Sequence, residues 1–268
     1  MTPRVLIATD LDRTLIYSAA AAGRPMAGLV PVERYQGREI SFMTPTAAGR
    51  FADLAAGHVV VPVTTRTPEQ LARVRLPGRP PRWAVAANGG VLLVDGAPDP
   101  DWAERVQAAV GAVKPLDAAL GQLTAVCDPA WAAAPRTAAE LFCYVVVDRA
   151  AMPGDVVQRL RAWAEPAGWV VSLQGRKLYV VPTPLTKSAA VAEVTRRADT
   201  GRTLAAGDSL LDIDLLAAAD RAVRPGHGEI AESGWSAPHV TGLTATGAAA
   251  GEEILAWLAA NAREGTGR

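Results

Sequence analysis

The stretch Val5-Leu6-Ile7-Ala8-Thr9-Asp10-Leu11-Asp12-Arg13-Thr14-Leu15 restricts the fold more than any other part of the chain. An apolar run of strand length leads into two carboxylates one residue apart and then a threonine. Short apolar runs read as buried strands, above all in parallel sheets covered on both faces. The carboxylates then stand where a parallel strand leaves its sheet, and open α/β sheets bind ligands in the crevice at those ends. Two acids this close repel unless a cation compensates or one stays protonated. The stretch therefore predicts a magnesium-type site, a nucleophile-plus-acid pair, or both. Asp-x-Asp after an apolar run also occurs in plain strand-to-loop turns. Three later segments decide between the readings: Val63-Thr64-Thr65-Arg66, Lys187, and Gly207-Asp208-Ser209-Leu210-Leu211-Asp212.

A chain of 268 residues, half of them hydrophobic, can build one large domain or two modest ones around a sizeable core. Its 27 basic and 27 acidic residues cancel, so no basic field exists to hold nucleic acid. Charge that binds phosphate must be local. Cys127 and Cys143 form no Cys-x-x-Cys and no disulfide framework. His58, His227 and His239 are too scattered to give a metal-ligand pattern. The start lacks the pattern of a signal peptide. No apolar run reaches the roughly 18–20 residues that span a bilayer. The expectation is a soluble, cytoplasmic protein with no nucleic-acid or membrane partner, its oligomeric state left open.

Along the chain, a strand over 4–9 precedes a Gly- and Pro-punctuated segment, 17–44, in which Arg38 to Phe42 forms one arm of a small hairpin. A helix follows, started by Thr44-Pro45 or Thr46 and stopped by Gly57. Strand 59–63 ends at Thr64-Thr65-Arg66, and a helix over 68–74 opens on Pro68. Strand 83–87 ends at Asn88-Gly89-Gly90, a tight-turn sequence favouring positive φ. The pattern then changes. Helices over 101–113 and 155–164, a strand over 143–147 and a hairpin of 169–173 with 177–181 replace the strand–helix alternation. After Pro184 the alternation returns: a helix over 188–198, a strand over 203–206 ending at Gly207-Asp208, a helix over 212–219, a short strand 221–223 and a closing helix 252–262. The tail 265–268 reads as frayed. The fold class is α/β: a Rossmann-like parallel-sheet core of residues 1–90 and 183–268, with an α+β insert over 91–182.

Each of four polar motifs follows an apolar run or opens a helix, in the order Asp-x-Asp-x-Thr, Thr, Lys, Gly-Asp-x-x-x-Asp. This order resembles the haloacid dehalogenase superfamily of phosphotransfer enzymes, across the whole core. Asp10 to Thr14 matches its first motif, Thr64 the second, Lys187 the third and Gly207 to Asp212 the fourth. Asn88-Gly89-Gly90 before the insert and Lys187 soon after it resemble the Cof-like and sucrose-phosphatase-like branch, in which an α+β cap lies between the second and third motifs.

The resemblance implies a Mg²⁺-dependent phosphatase of a small, sugar-phosphate-like metabolite. Asp10 is then nucleophile and metal ligand. The Asp12 carbonyl and Asp208 complete the metal set, with Asp212 a further ligand or anchor. The Asp12 side chain is general acid and then base, while Thr64 and Lys187 hold the phosphoryl group. Thr65, Arg66, Asn88, Arg176 and Lys177 are candidates for substrate contact. Strand alternation separates Arg176 from Lys177, so at most one of them points inward. The pattern departs from the family at Arg13, where glycine is common and positive φ would strain an arginine, at Thr65 for glycine, and at Leu211 for asparagine. A phosphomutase or phosphotransferase, and a non-catalytic metabolite-binding protein on the same scaffold, are the rival readings.

Overall fold

A computed structural model describes residues 5–263. Arg4, expected in the first strand, and the tail 265–268 lie outside the described residues. The chain divides into two compact units, Met1–Pro98 with Lys187–Arg268, and Asp99–Thr186.

The first unit begins with β1 (Leu6–Thr9), a hairpin of β2 (Val30–Tyr35) and β3 (Arg38–Met43), α1 (Pro45–Gly57), β4 (Val59–Pro62) and the short α2 (Pro68–Leu71). Next come β5 (Trp83–Ala86), β6 (Val91–Val94) and β7 (Ala97–Pro98). The second unit holds α3 (Pro100–Val110), α4 (Leu116–Val126), β8 (Arg136–Ala138), β9 (Phe142–Val146), α5 (Val156–Ala167), β10 (Trp169–Gln174) and β11 (Lys177–Pro182). The chain then returns to the first unit through α6 (Lys187–Ala198), β12 (Thr203–Ala206), α7 (Ile213–Ala218), β13 (Arg221–Arg224), α8 (Glu229–Ser233), β14 (Val240–Gly242) and α9 (Gly247–Arg263).

Five strands form a parallel sheet in the order β14-β13-β12-β1-β4. β5 joins its edge through a parallel bridge between Val63 and Val85. α1 and α9 pack together over the face that carries Val5, Ile7, Val60, Leu204 and Val223. The alternate positions Leu6, Ala8, Val61, Ala205 and Ala222 are buried as completely, so the sheet is covered on both sides. Near-continuous apolar strands are what such a sheet requires, which is why these runs were readable. Helix starts also follow local chemistry. Thr44 accepts a hydrogen bond from the Ala47 amide at 3.0 Å with Pro45 behind it, and Thr67 and Gln70 make a capping box.

In the second unit an antiparallel sheet of order β10-β11-β9-β8 packs on α4 and α5. Trp102 and Trp169 are buried there, and the Trp169 indole donates to the Lys114 carbonyl at 3.0 Å. Several elements differ from expectation. The helix expected over 68–74 stops at Leu71, because Val74 bridges to Glu33 of the hairpin instead. Val91–Val94 pairs antiparallel with Trp83–Ala86 and therefore stands in the first unit. Arg176 lies in the two-residue turn between Gln174 and Lys177, not on a strand.

Candidate active site

The register of the parallel sheet sets the site. Thr9 stands beside Ala206 on one side and Pro62 on the other. The next residues of the three strands, Asp10, Gly207-Asp208 and Val63-Thr64, therefore emerge together. Asp10 donates its amide to the Ala206 carbonyl at 2.9 Å, and Val63 donates to the Thr9 carbonyl at 2.8 Å. From β1 the chain steps to β4 on one side, whereas its last third steps from β12 to β13 and β14 on the other. The strand order thus reverses between β1 and β12, the place where such sheets open a ligand crevice.

Lys187, the first residue of α6, completes the centre. It is fully buried, and its Nζ lies 2.7 Å from Asp10 Oδ1 and 2.5 Å from Asp212 Oδ1. Asp214 fixes the start of that helix by accepting the Ser188 amide at 2.7 Å. The other oxygen of Asp212 accepts from the Asp208 amide, the Ser209 amide and the Ser209 hydroxyl at 3.1, 2.9 and 2.8 Å. Asp212 therefore ties the lysine to the loop that carries Asp208. One oxygen from each of Asp10, Asp208 and Asp212 lies within 4.8 Å of the others.

Burial decides the electrostatics. It pushes the Asp10 carboxyl up to about 7, against the pull of Lys187 and with help from Asp212 and Asp12. Burial likewise raises Asp208, reinforced by Asp10 and Asp212 and opposed by Arg13. Burial opposes the Lys187 charge, but Asp10 and Asp212 outweigh it and raise its affinity for its proton. With all three buried acids ionised, the ammonium and the Arg13 guanidinium, whose Nε is 3.5 Å from Asp208, leave an excess of negative charge. A divalent cation with oxygen ligands fits that donor set.

The loop after Asp10 closes on itself, with the Leu15 and Ile16 amides both donating to the Leu11 carbonyl at 2.9 Å. Arg13 adopts φ 65°, in the left-handed region where glycine is at ease. His227 Nε2 sits 2.7 Å from the Arg13 carbonyl and pins it. Next to that histidine, Gly228 at φ 92° passes so close to Asp208 that an added Cβ would meet its carbonyl oxygen at 2.4 Å.

Thr64 is buried at the end of the β4 segment, and its hydroxyl oxygen accepts the Arg66 amide at 3.2 Å, which leaves the hydroxyl hydrogen to donate. Thr65 is buried beside it. Asn88, at φ 55°, is also buried and donates its amide to the Thr64 carbonyl at 2.9 Å. Arg66 engages not an open cleft but Asp12: Nε and Nη2 fork its two carboxylate oxygens at 2.6 and 2.8 Å. Arg176 and Lys177 belong to the second unit, where Arg176 is exposed and the Lys177 ammonium sits over the rings of Tyr144 and Tyr179. Sequence reasoning missed Glu33, Asp214, His227 and Gly228. Only Gly228 carried a signal, as one of many glycines.

Solved structures match this backbone over nearly its whole length. The sucrose-phosphatase of Synechocystis sp. PCC6803, determined with sucrose and phosphate, has TM-score 0.63 at 16% identity, with 97% of this chain and 99% of that one covered. The C-terminal domain of C. albicans trehalose-6-phosphate phosphatase has TM-score 0.59 at 12% identity, with 97% and 93% covered. A HAD subclass IIB sugar phosphatase has TM-score 0.56 at 12% identity, with 97% and 99% covered. No protein-family model and no curated protein sequence matches the chain. The structural match establishes the fold: it is that of the haloacid dehalogenase superfamily phosphatases, a Rossmann-like core with an inserted α+β unit.

Proposed function

We propose that the chain is a magnesium-dependent phosphatase acting on a small phosphorylated metabolite through an aspartyl-phosphate on Asp10. The observation that carries this reading is the buried Lys187 ammonium bridging Asp10 and Asp212 beside Asp208, at the strand ends where the sheet order reverses. An acid kept beside a fixed cation and a second acid cluster suits a nucleophile that must approach an anion. Asp10, the Asp12 carbonyl and Asp208 would hold the ion, with Asp212 fixing the set, and Mg²⁺ when bound supplies charge that offsets phosphate and carboxylate.

The chain's own residues perform the transfer. An Asp10 oxygen attacks phosphorus as the ester P–O bond breaks. That bond's electron pair stays with the leaving oxygen, which takes the proton of the Asp12 carboxyl. Lys187 and the Thr64 hydroxyl hold the phosphoryl oxygens in place. Water then attacks phosphorus, gives a proton to Asp12, and restores Asp10 as inorganic phosphate departs. The half exposure of Asp12 beside the buried cluster supports that role. The substrates named for the solved relatives make phosphorylated sugars the first class to test. Release of inorganic phosphate from a panel of such esters, with and without Mg²⁺, tests the proposal. Transfer to an added alcohol in place of water would mark a phosphotransferase, and tight binding without turnover a non-catalytic protein.

Two predictions follow from the electrostatics. Asp10 and Asp208 bind protons more tightly folded than unfolded, Asp10 up to about 7 from 3.8. The metal-free protein therefore loses stability as pH rises through that window. Mg²⁺ needs both groups as carboxylates. Its stabilising effect, read as the rise in Tm on adding the ion, should be larger at about pH 8 than at about pH 5. Gly228→Ala should weaken Mg²⁺ binding by about 10–100-fold, because the new Cβ displaces Asp208. Calorimetric titration with Mg²⁺ checks it.

A further inference from the structure

The hairpin of β2 and β3 carries a buried acid that the phosphatase chemistry above leaves without a task. Glu33 has a side chain with 0% exposure. A strand puts successive side chains on opposite faces, yet Val32 and Glu33 are both buried. A bulge explains it: Pro31 pairs with Phe42 and Glu33 with Ser41, so Val32 is the extra residue and Glu33 turns inward. A bridge between Glu33 and Val74, and the Arg75 amide on the Val32 carbonyl at 2.6 Å, fasten the hairpin to the segment after α2.

Inside, Glu33 meets two arginines and a serine, and one of the arginines, Arg66, reaches Asp12. Glu33 Oε1 lies 2.9 Å from Arg66 Nη1 and 3.2 Å from Arg73 Nε, and Oε2 accepts the Ser41 hydroxyl at 2.6 Å. The remaining edge of the Arg66 guanidinium forks Asp12. A buried ion pair is weak grounds for stability, since desolvation offsets much of its attraction. A planar guanidinium pinned at one end and bidentate at the other instead fixes direction. The Asp12 side chain is half exposed, so burial alone does not fix its rotamer.

We infer that Glu33 is a positioning residue, which acts through Arg66 to hold the Asp12 carboxyl in the orientation that serves the leaving oxygen. The inference rests on the phosphatase reading. It also gives the hairpin a function: its bulge delivers the anchor. Misorientation of a catalytic group by about 1 Å costs up to about a hundredfold in rate, and a partly loosened arginine should cost less.

The test compares two esters with Mg²⁺ present. Glycerol 2-phosphate releases an alkoxide that needs a proton, whereas p-nitrophenyl phosphate releases a phenolate that leaves without one. The readout is kcat/KM, which covers the steps through phosphorylation of Asp10 and excludes the later attack of water. Glu33→Gln is expected to lower kcat/KM for glycerol 2-phosphate about tenfold or more and for p-nitrophenyl phosphate less than about twofold. Ser41→Ala, a milder change that keeps the Glu33 charge, should give the same selective loss at about threefold, and carries the test if Glu33→Gln does not fold. Equal losses on both esters, or none, in folded variants overturn the inference while leaving the phosphatase reading intact. Absence of turnover of either ester by the unaltered enzyme removes both.

Discussion

Asp10→Asn is expected to lower phosphate release by at least about a thousandfold, and to make the metal-free protein more stable at about pH 8. The activity loss follows from the asparagine amide, which cannot form the phosphorylated intermediate. The gain in stability follows from burial. Asp10 reaches its charged form only near pH 7 because it is desolvated and crowded by Asp212 and Asp12. At about pH 8 the folded protein carries that charge at a cost the unfolded chain does not meet. Removing it leaves Lys187 paired with Asp212. Phosphate assays and urea denaturation in chelator measure the two effects separately. A variant that loses both activity and stability would mean that Asp10 holds the fold.

Lys187→Met cuts the same contact from the other side and should have the opposite effect on stability. The lysine is fully buried, and both partners are buried acids. Without it, Asp10, Asp208 and Asp212 face one another, and Arg13 forms an ion pair with Asp208. Breaking a buried pair by removing one partner typically costs about 3–5 kcal/mol, and that figure is expected here in metal-free protein at about pH 8. Mg²⁺ should restore part of the loss, because it supplies charge to the same oxygens. Turnover should fall at least about a hundredfold even with Mg²⁺, since the point charge on the phosphoryl group is gone. Denaturation curves with and without the ion provide the measurement. A Lys187→Met protein as stable as its parent would show that the acids are already protonated and need no cation.

The opposite signs expected for these neighbouring substitutions come from features of unequal visibility in the sequence. The strand ends were legible because a sheet covered on both faces needs unbroken apolar runs, and Asp10, Thr64 and Asp208 each end one. Once the runs align in parallel, register brings their next residues together. Lys187 was legible from its place at a helix start. The partner of Arg66 was not, because Asp12 lies 54 residues away and no periodicity encodes that fork. Nor was Glu33, since a bulge breaks the alternation by which a strand's inward face is read. The first strands after Gly90 looked like the opening of the insert. A hairpin folding back on β5 and one starting a new unit share the same local pattern, and only the pairing of Val91–Val94 with Trp83–Ala86 separates them. Arg13 at φ 65° was anticipated as a possible strain, and His227 on its carbonyl is the long-range contact that holds it.

The central claim is that Asp10 accepts the phosphoryl group beside a magnesium ion shared with Asp208. A crystal grown with Mg²⁺ and beryllium trifluoride, which mimics a phosphoryl group on a carboxylate, tests it most directly. The account predicts a fluoroberyllate bonded to Asp10, with the Lys187 ammonium and the Thr64 hydroxyl on its fluorines and the ion about 2.0–2.1 Å from oxygens of Asp10 and Asp208. An adduct on another side chain, or a magnesium ion bound away from Asp10 and Asp208, would contradict it.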